Sequence, residues 1–217
     1  MAKVIIFGTL DTAQLAYYYL SCDSEHEVIG FTVSQDYLQT STFCELPVVG
    51  FETIEHIYPP NEYDFFIPMT GRKMNQLREQ IYLQVKAKGY QCISYISSKA
   101  TVLTENIGDN CFILENCTVQ PFVTIGNDVM IWADSFVGHH STVHSHTFIA
   151  TATMAGHSVI EPYCYIGLKS VINNHCHVAE GTFLAANSLL TQNSKPWHVY
   201  QGSPAKMRNI DSRRYYQ

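Results

Sequence analysis

"IGDNCFILENCTVQPFVTIGNDVMIWADSFVGHHSTVHSHTFI", residues 107–149, decides the fold, because it reads in steps of six. Counting from Ile107, the sixth residues are Ile113, Val119, Ile125, Ile131, Val137, Val143 and Ile149, all branched aliphatics. One five-residue step leads to Met154, and steps of six resume through Ile160, Ile166, Ile172, Val178, Leu184 and Leu190. Four residues after each position from Ile107 to Leu184 stands a small side chain: Cys111, Cys117, Val123, Val129, Ser135, Ser141, Thr147, Thr153, Ser158, Cys164, Ser170, Cys176, Thr182 and Ser188. A hexapeptide period means short strands joined by tight turns, three to a coil, stacked as a parallel β-helix with the aliphatic position inside. About five coils fit between Ile107 and Leu190, with neighbouring coils about 4.8 Å apart, as neighbouring strands are.

The period also gives four of the seven cysteines a packing role. With an odd number of cysteines and no CxxC pair, a disulfide framework and a zinc ribbon are both disfavoured, and the thiols are expected to be free. At 217 residues and 46% hydrophobic content the chain can bury a real core. A formal charge of −6 with no lysine or arginine run disfavours nucleic acid as a partner. No window of about eighteen apolar residues occurs, so no membrane span is expected and the protein is read as soluble and cytoplasmic.

Upstream of the repeats, strands and helices alternate. "KVIIF" is a short apolar strand closing on Gly8, and "TAQLAYYYL" carries Ala13, Ala16, Tyr17 and Leu20 at helical spacing behind a cap at Asp11 or Thr12. "EVIGFTV" is a second strand, completing a βαβ unit whose first turn lies at the carboxyl edge of a parallel sheet, where ligands bind. "YDFFIP" and "QCISYI" read as further strands. "RKMNQLREQIYLQVKAKG" reads as a helix with Met74, Leu77, Ile81 and Val85 on one face and Gly89 as its stop. The turn "GTLDTA" is not a GxGxxG fingerprint, so support for a dinucleotide is weak, although a mononucleotide could use the helix N-terminus. The expected architecture is an α/β, Rossmann-like N-terminal domain over residues 1–97. A C-terminal parallel β-helix over 98–217 follows it, with a tail from about 193.

Residues 137–157, "VGHHSTVHSHTFIATATMAGH", hold five histidines, although none occurs between Ile57 and Gly138. A full coil is eighteen residues, and the five-residue step shortens the one after Val137 to seventeen. Gly156 therefore stacks on His139 and His157 on His140. An imidazole beside an exposed glycine N–H is a general base next to an oxyanion donor, the minimum arrangement for acyl transfer. His144 and His146 read as solvated turn residues, and His175, His177 and His198 as surface groups.

The hexapeptide array, "GHHS", "AGH", "IGLKSVINN" and the terminal "GSPAK" together resemble the bacterial sialic acid O-acetyltransferase and nucleotide-amino-sugar N-acetyltransferase family. The resemblance extends through "LPVVGFETIEHIYPP", "RKMNQLRE" and "GYQCISYISSKATV", nearly the whole chain. It implies a left-handed winding, acetyl-CoA as donor, a nucleotide-linked amino sugar as acceptor, a homotrimer, and active sites between adjacent subunits. It places the family's catalytic histidine on His139 and its acetyl-binding glycine amide on Gly156. It runs the coenzyme's pantetheine arm past Ala185 and Ala186 towards Gly202, Pro204 and Lys206, with Lys169 nearby. It gives the acceptor Gly8, Thr9 and Leu10, then Val33 and Ser34 after the second strand, Gly71 and His140. The chain departs from the family at His140, where some members carry an acidic residue that orients the base. It departs again at Gly167–Ser170, where many read "GVNA", and in the bulkier turn "GTLDTA".

The reaction expected is acetyl transfer to an amino sugar in bacterial surface glycan (lipopolysaccharide) biosynthesis, without a metal or an acyl-enzyme. A hydroxyl acceptor, as in sialic acid O-acetylation, is the alternative within enzymes. From another class, the alternatives are a non-catalytic scaffold or a zinc-dependent trimer of the carbonic anhydrase kind, for which the spacing of His139 and His144 would suit metal ligation. That reading lacks a third histidine two coils earlier, and three protein ligands are the usual catalytic zinc set.

Overall fold

A computed structural model describes all residues, 1–217. The chain divides into two compact units, Met1–Thr70 with Gln80–Tyr95, and Gly71–Glu79 with Ile96–Gln217. The expected division near residue 97 lies close to the Tyr95/Ile96 boundary, with Gly71–Glu79 grouped with the second unit.

In the first unit, β1 (Lys3–Phe7), α1 (Asp11–Cys22) and β2 (Glu27–Val33) form the expected βαβ unit, with β1 and β2 parallel. The hairpin of β3 (Thr42–Phe43) and β4 (Leu46–Gly50) joins β2, and β5 (Asp64–Phe66) joins β1, giving the order β3-β4-β2-β1-β5. β1 and β5 are apolar almost throughout, as strands covered on both faces are. Ile5, Phe65 and Ile67 are buried with Ile81, Tyr82 and Val85 in one core. Leu10 is the N-cap of α1 and makes no side-chain capping bond, so neither Asp11 nor Thr12 is the cap. Asp11 lies instead in the first turn, where its charge favours the positive end of the helix dipole. "QCISYI" forms only an isolated bridge, Cys92 with Phe65, and a two-residue strand.

The predicted helix after Thr70 is α2 (Gln76–Ala87). It begins late because Lys73, Met74 and Asn75 are left-handed, with φ of 52°, 52° and 64°.

In the second unit the six-residue period is realised as two-residue strands in three parallel sheets. One face stacks Thr124–Ile125, Thr142–Val143, Val159–Ile160 and His177–Val178. Another stacks Phe112–Ile113 through Phe183–Leu184, and the third runs from Thr101–Val102 to Leu189–Leu190. The stacked strands therefore start two strands before Ile107, with Tyr95–Ile96 and Thr101–Val102. Register is eighteen residues between coils, as in Thr124 to Thr142, and seventeen across the short step, as in Phe136 to Thr153.

The aliphatic positions form one continuous core with Cys111, Cys117, Cys164 and Cys176. The small position of the short coil is Ala152, which is buried, while Thr153 is an exposed strand residue. The missing residue falls before Thr151, so the turn closes one place early.

Each turn holds one residue in the left-handed region, and these recur in phase with the repeat: Asn110, Asn116, Phe122, Asp128, Asp134, His140, His146, Thr151, His157, Tyr163, Lys169 and His175. Asn, Asp and His tolerate this region better than most residues. Most of the clustered histidines are therefore corner residues of the prism. His139 and His144 are not, and backbone geometry gives no reason for a histidine at either position.

Candidate active site

His140, His157 and His175 occupy one corner of three successive coils. Their rings stack in a column at centroid spacings of 5.0 Å, inclined by 17° and 10°. Phe122, on the coil before, continues the column 4.6 Å from His140 and is 69% exposed. His139 stands beside it. Its ring meets His140 and His157 edge-on at 5.2 and 5.0 Å, and its Nδ1 lies 3.0 Å from His140 Nδ1. Its backbone N–H donates to Gln120 Oε1 at 3.0 Å.

The other side of the His139 ring faces Gly156. A Cβ on Gly156 would stand 3.0 Å from His139 Cε1 and carbonyl oxygen, and 3.1 Å from Nε2. The Gly156 N–H donates to no acceptor within the chain, whereas His157 N–H donates to the His139 carbonyl and Ala155 N–H to Ile172. A Cβ on Gly138 would come within 2.5 Å of that nitrogen, so the two glycines keep the amide open. The site thus holds a ring nitrogen, a free amide beside it, and a second imidazole on the ring's remaining nitrogen. Burial, followed by the neighbouring imidazoles His140, His175 and His139, lowers the pKa of His157 from its ordinary value.

Not every expected residue is equally available. Ala185 N–H already donates to Tyr200, so of the two expected pantetheine contacts only Ala186 offers a free amide N–H. Lys169 is an exposed corner residue, and Gly202, at φ 103°, donates its N–H to Ser188 Oγ just before Pro204. Lys206 is exposed. In the first unit, Gly8 at φ 117° closes β1 by donating to the Thr32 carbonyl. Thr9 is half-buried and Leu10 exposed, while Val33 is buried and Ser34 half-buried. Gly71 is buried and abuts Tyr165 and Asn75 in the second unit.

His146 is not a solvated turn residue. Its Nδ1 lies 2.8 Å from Asp128 Oδ2 and its Nε2 3.6 Å from Glu79 Oε1, and its ring stacks on Tyr163. Asp128 is fully buried and paired with the fully buried Arg78, whose Nε donates to Asp128 Oδ1 at 3.0 Å. Tyr163 donates to Glu79 at 2.7 Å, and burial followed by that bond raises its pKa to about 12. His144, by contrast, is half exposed, 3.8 Å from Glu161.

Residues 106–139 match the bacterial transferase hexapeptide (six repeats) family. An acyl-[acyl-carrier-protein]–UDP-N-acetylglucosamine O-acyltransferase of Aliivibrio salmonicida is 31% identical over 113 residues, covering 48% of this chain and 43% of that protein. The Helicobacter pylori enzyme of that name is 29% identical over 119 residues, covering 51% and 44%. The chain thus spans under half the length of these relatives. Among solved structures, the acetyltransferase domain of PglB from Neisseria gonorrhoeae superposes with a TM-score of 0.82 at 20% identity, covering 96% of this chain and 100% of that one. PerB from Caulobacter crescentus, in complex with CoA and GDP-perosamine, gives 0.83 at 16% identity, covering 96% and 98%. At these identities the likeness is one of fold, and it extends over both units. No helix is long and apolar enough to cross a membrane.

Proposed function

We propose that the protein is an acetyl-CoA-dependent N-acetyltransferase acting on a nucleotide-linked amino sugar of a bacterial surface glycan. The observation that carries this is the His139 ring held between the open Gly156 amide and His140 Nδ1. The fold shared with PerB and the PglB domain supports the substrate class. A left-handed prism, a Rossmann-like N-terminal unit binding the nucleotide, a homotrimer with shared sites and a cytoplasmic location belong to the same reading.

His139 serves as general base through Nε2, the nitrogen on the Gly156 side. In this mechanism His139 donates Nδ1–H to His140 Nδ1, the tautomer that leaves a lone pair on Nε2. The acceptor's neutral amine attacks the thioester carbonyl carbon, and the Gly156 N–H stabilises the oxyanion that forms. Nε2 takes the ammonium proton. Collapse breaks the C–S bond, and the imidazolium returns the proton to the coenzyme thiolate, leaving an amide and free CoA. No step needs a metal or an acyl-enzyme. The buried cysteine thiols are poor nucleophiles, since burial drives Cys164 to about 12 and Cys117 to about 11.

A sugar hydroxyl is the second reading, favoured by the match to an O-acyltransferase across 48% of the chain. Coenzyme thiol release across a panel of nucleotide sugars bearing either an amino group or a hydroxyl at one carbon tests the choice. Faster release with the amino series is expected, and release only with the hydroxyl series would overturn it.

A further inference from the structure

The acceptor and coenzyme do not account for His157. It touches the site from the next coil, yet the transfer as written gives it no role. One ligand nitrogen from each of His139, His140 and His157 lies within 4.8 Å of the other two, and all three residues are exposed. His139 Nδ1 and His140 Nδ1 are 3.0 Å apart. Two imidazole nitrogens bound to one tetrahedral zinc at about 2.0–2.1 Å lie roughly 3.3 Å from each other, so this pair is already at chelating separation. The column adds the third ligand. His157 stacks on His140 at 5.0 Å and meets His139 edge-on at 5.0 Å, so its ring stands against both members of the pair, with Phe122 against the other face of His140. Three exposed imidazoles suit a borderline divalent ion such as zinc or cobalt, and suit magnesium or calcium poorly, because those prefer oxygen.

We infer that His139, His140 and His157 form an inhibitory site for a zinc-class divalent cation. This rests on the reading of His139 as the base. Once the Nδ1 lone pair of His139 is given to the ion, the neutral ring carries its single proton on Nε2, so the nitrogen facing Gly156 has no lone pair to accept a second. The ion also withdraws the His140 lone pair that sets the productive tautomer. The ion is therefore an off-switch for transfer and not a cofactor. Nothing is oxidised or reduced, and a chelator restores the resting site.

The test uses the full-length protein freed of metal. Zinc binding is measured by isothermal titration, with the visible absorption of cobalt as a second probe, for the wild type, His157→Gln and His177→Gln. His177 is an exposed histidine paired with Glu161 and serves as the control. One ion per chain is expected in the wild type and in His177→Gln. His157→Gln should bind zinc at least about tenfold more weakly, as loss of a ligand costs no less than loss of a residue supporting one. Its zinc-inhibition curve should move by the same factor while its turnover in chelated buffer stays close to wild type. Absence of zinc binding up to millimolar concentration, or equal binding and inhibition in His157→Gln, would overturn the site. Zinc bound through His157 with transfer unimpeded would overturn the inhibitory role. The base reading is judged separately, in chelated buffer where no ion is present: an active His139→Asn enzyme would sink it whatever zinc does.

Discussion

Replacing Gly156 by alanine tests the site with a single carbon. The added Cβ would stand 3.0 Å from His139 Cε1 and from the His139 carbonyl oxygen, closer than the 3.4 Å at which ordinary contact begins. The carbonyl cannot retreat, because it accepts the His157 N–H that joins the two coils at 2.9 Å. The exposed imidazole can, by a few tenths of an ångström. That movement carries Nε2 away from the reacting amine and strains the 3.0 Å link from Nδ1 to His140. Since a misplacement of about 1 Å costs about 10²-fold, a shift of this size should lower kcat by about tenfold. The methyl group also crowds the oxyanion position, where losing one donor costs about 10²- to 10³-fold, so the expected total lies between about 10- and 10³-fold. Thiol-release kinetics with saturating acetyl-CoA would read kcat, and a urea melt would confirm an intact fold. Wild-type turnover in a folded Gly156→Ala protein would refute the placement of base and amide.

Arg78→Met should destabilise the protein by about 3–5 kcal/mol in urea unfolding, because it leaves the fully buried Asp128 carboxylate without its guanidinium partner; a loss under about 1 kcal/mol would contradict this. Adding Asp128→Asn should recover part of the loss, a coupling that a double-mutant cycle detects. Gly8→Val should raise the acceptor's KM well above any change for acetyl-CoA, since φ of 117° strains valine at the turn closing β1; equal effects on both substrates would contradict the assignment of that turn to the acceptor. The lowered pKa of His157 means that below its ordinary value of 6.5 the unfolded chain binds a proton that the folded chain holds off. Stability from this source is therefore complete above pH 6.5 and falls as the pH drops through it, and His157→Gln should flatten the fall in urea midpoint between neutral and mildly acidic pH. A fall just as steep in His157→Gln would exclude this source.

The β-helix was legible because its core needs one aliphatic every six residues, and no other fold imposes that spacing for so long. Counting through the short step also placed Gly156 on His139 and His157 on His140 without coordinates, as the register confirms. The same phase carries a second signal: Asn, Asp and His recur just before the small position because each corner is left-handed. That pattern explains His140, His146, His157 and His175 by conformation and leaves His139 and His144 to other causes. What stayed hidden depends on contacts far apart in sequence. Arg78 is buried only because Asp128 and the Thr147 carbonyl, 50 and 69 residues on, receive its guanidinium, and helical periodicity shows only an arginine beside Leu77. The same holds for His146, whose partners Asp128 and Glu79 are remote in sequence.

The central claim is that His139 accepts the acceptor's proton. The most direct measurement is kcat of His139→Asn in chelated buffer, with sedimentation confirming unchanged assembly and titration confirming acetyl-CoA binding. Asparagine keeps a similar size and cannot act as a base, and general-base assistance is typically worth about 10²- to 10⁴-fold. A loss of at least about 10² in kcat with binding intact is predicted, whereas near-normal turnover would show that the histidine only positions substrate and would contradict the account.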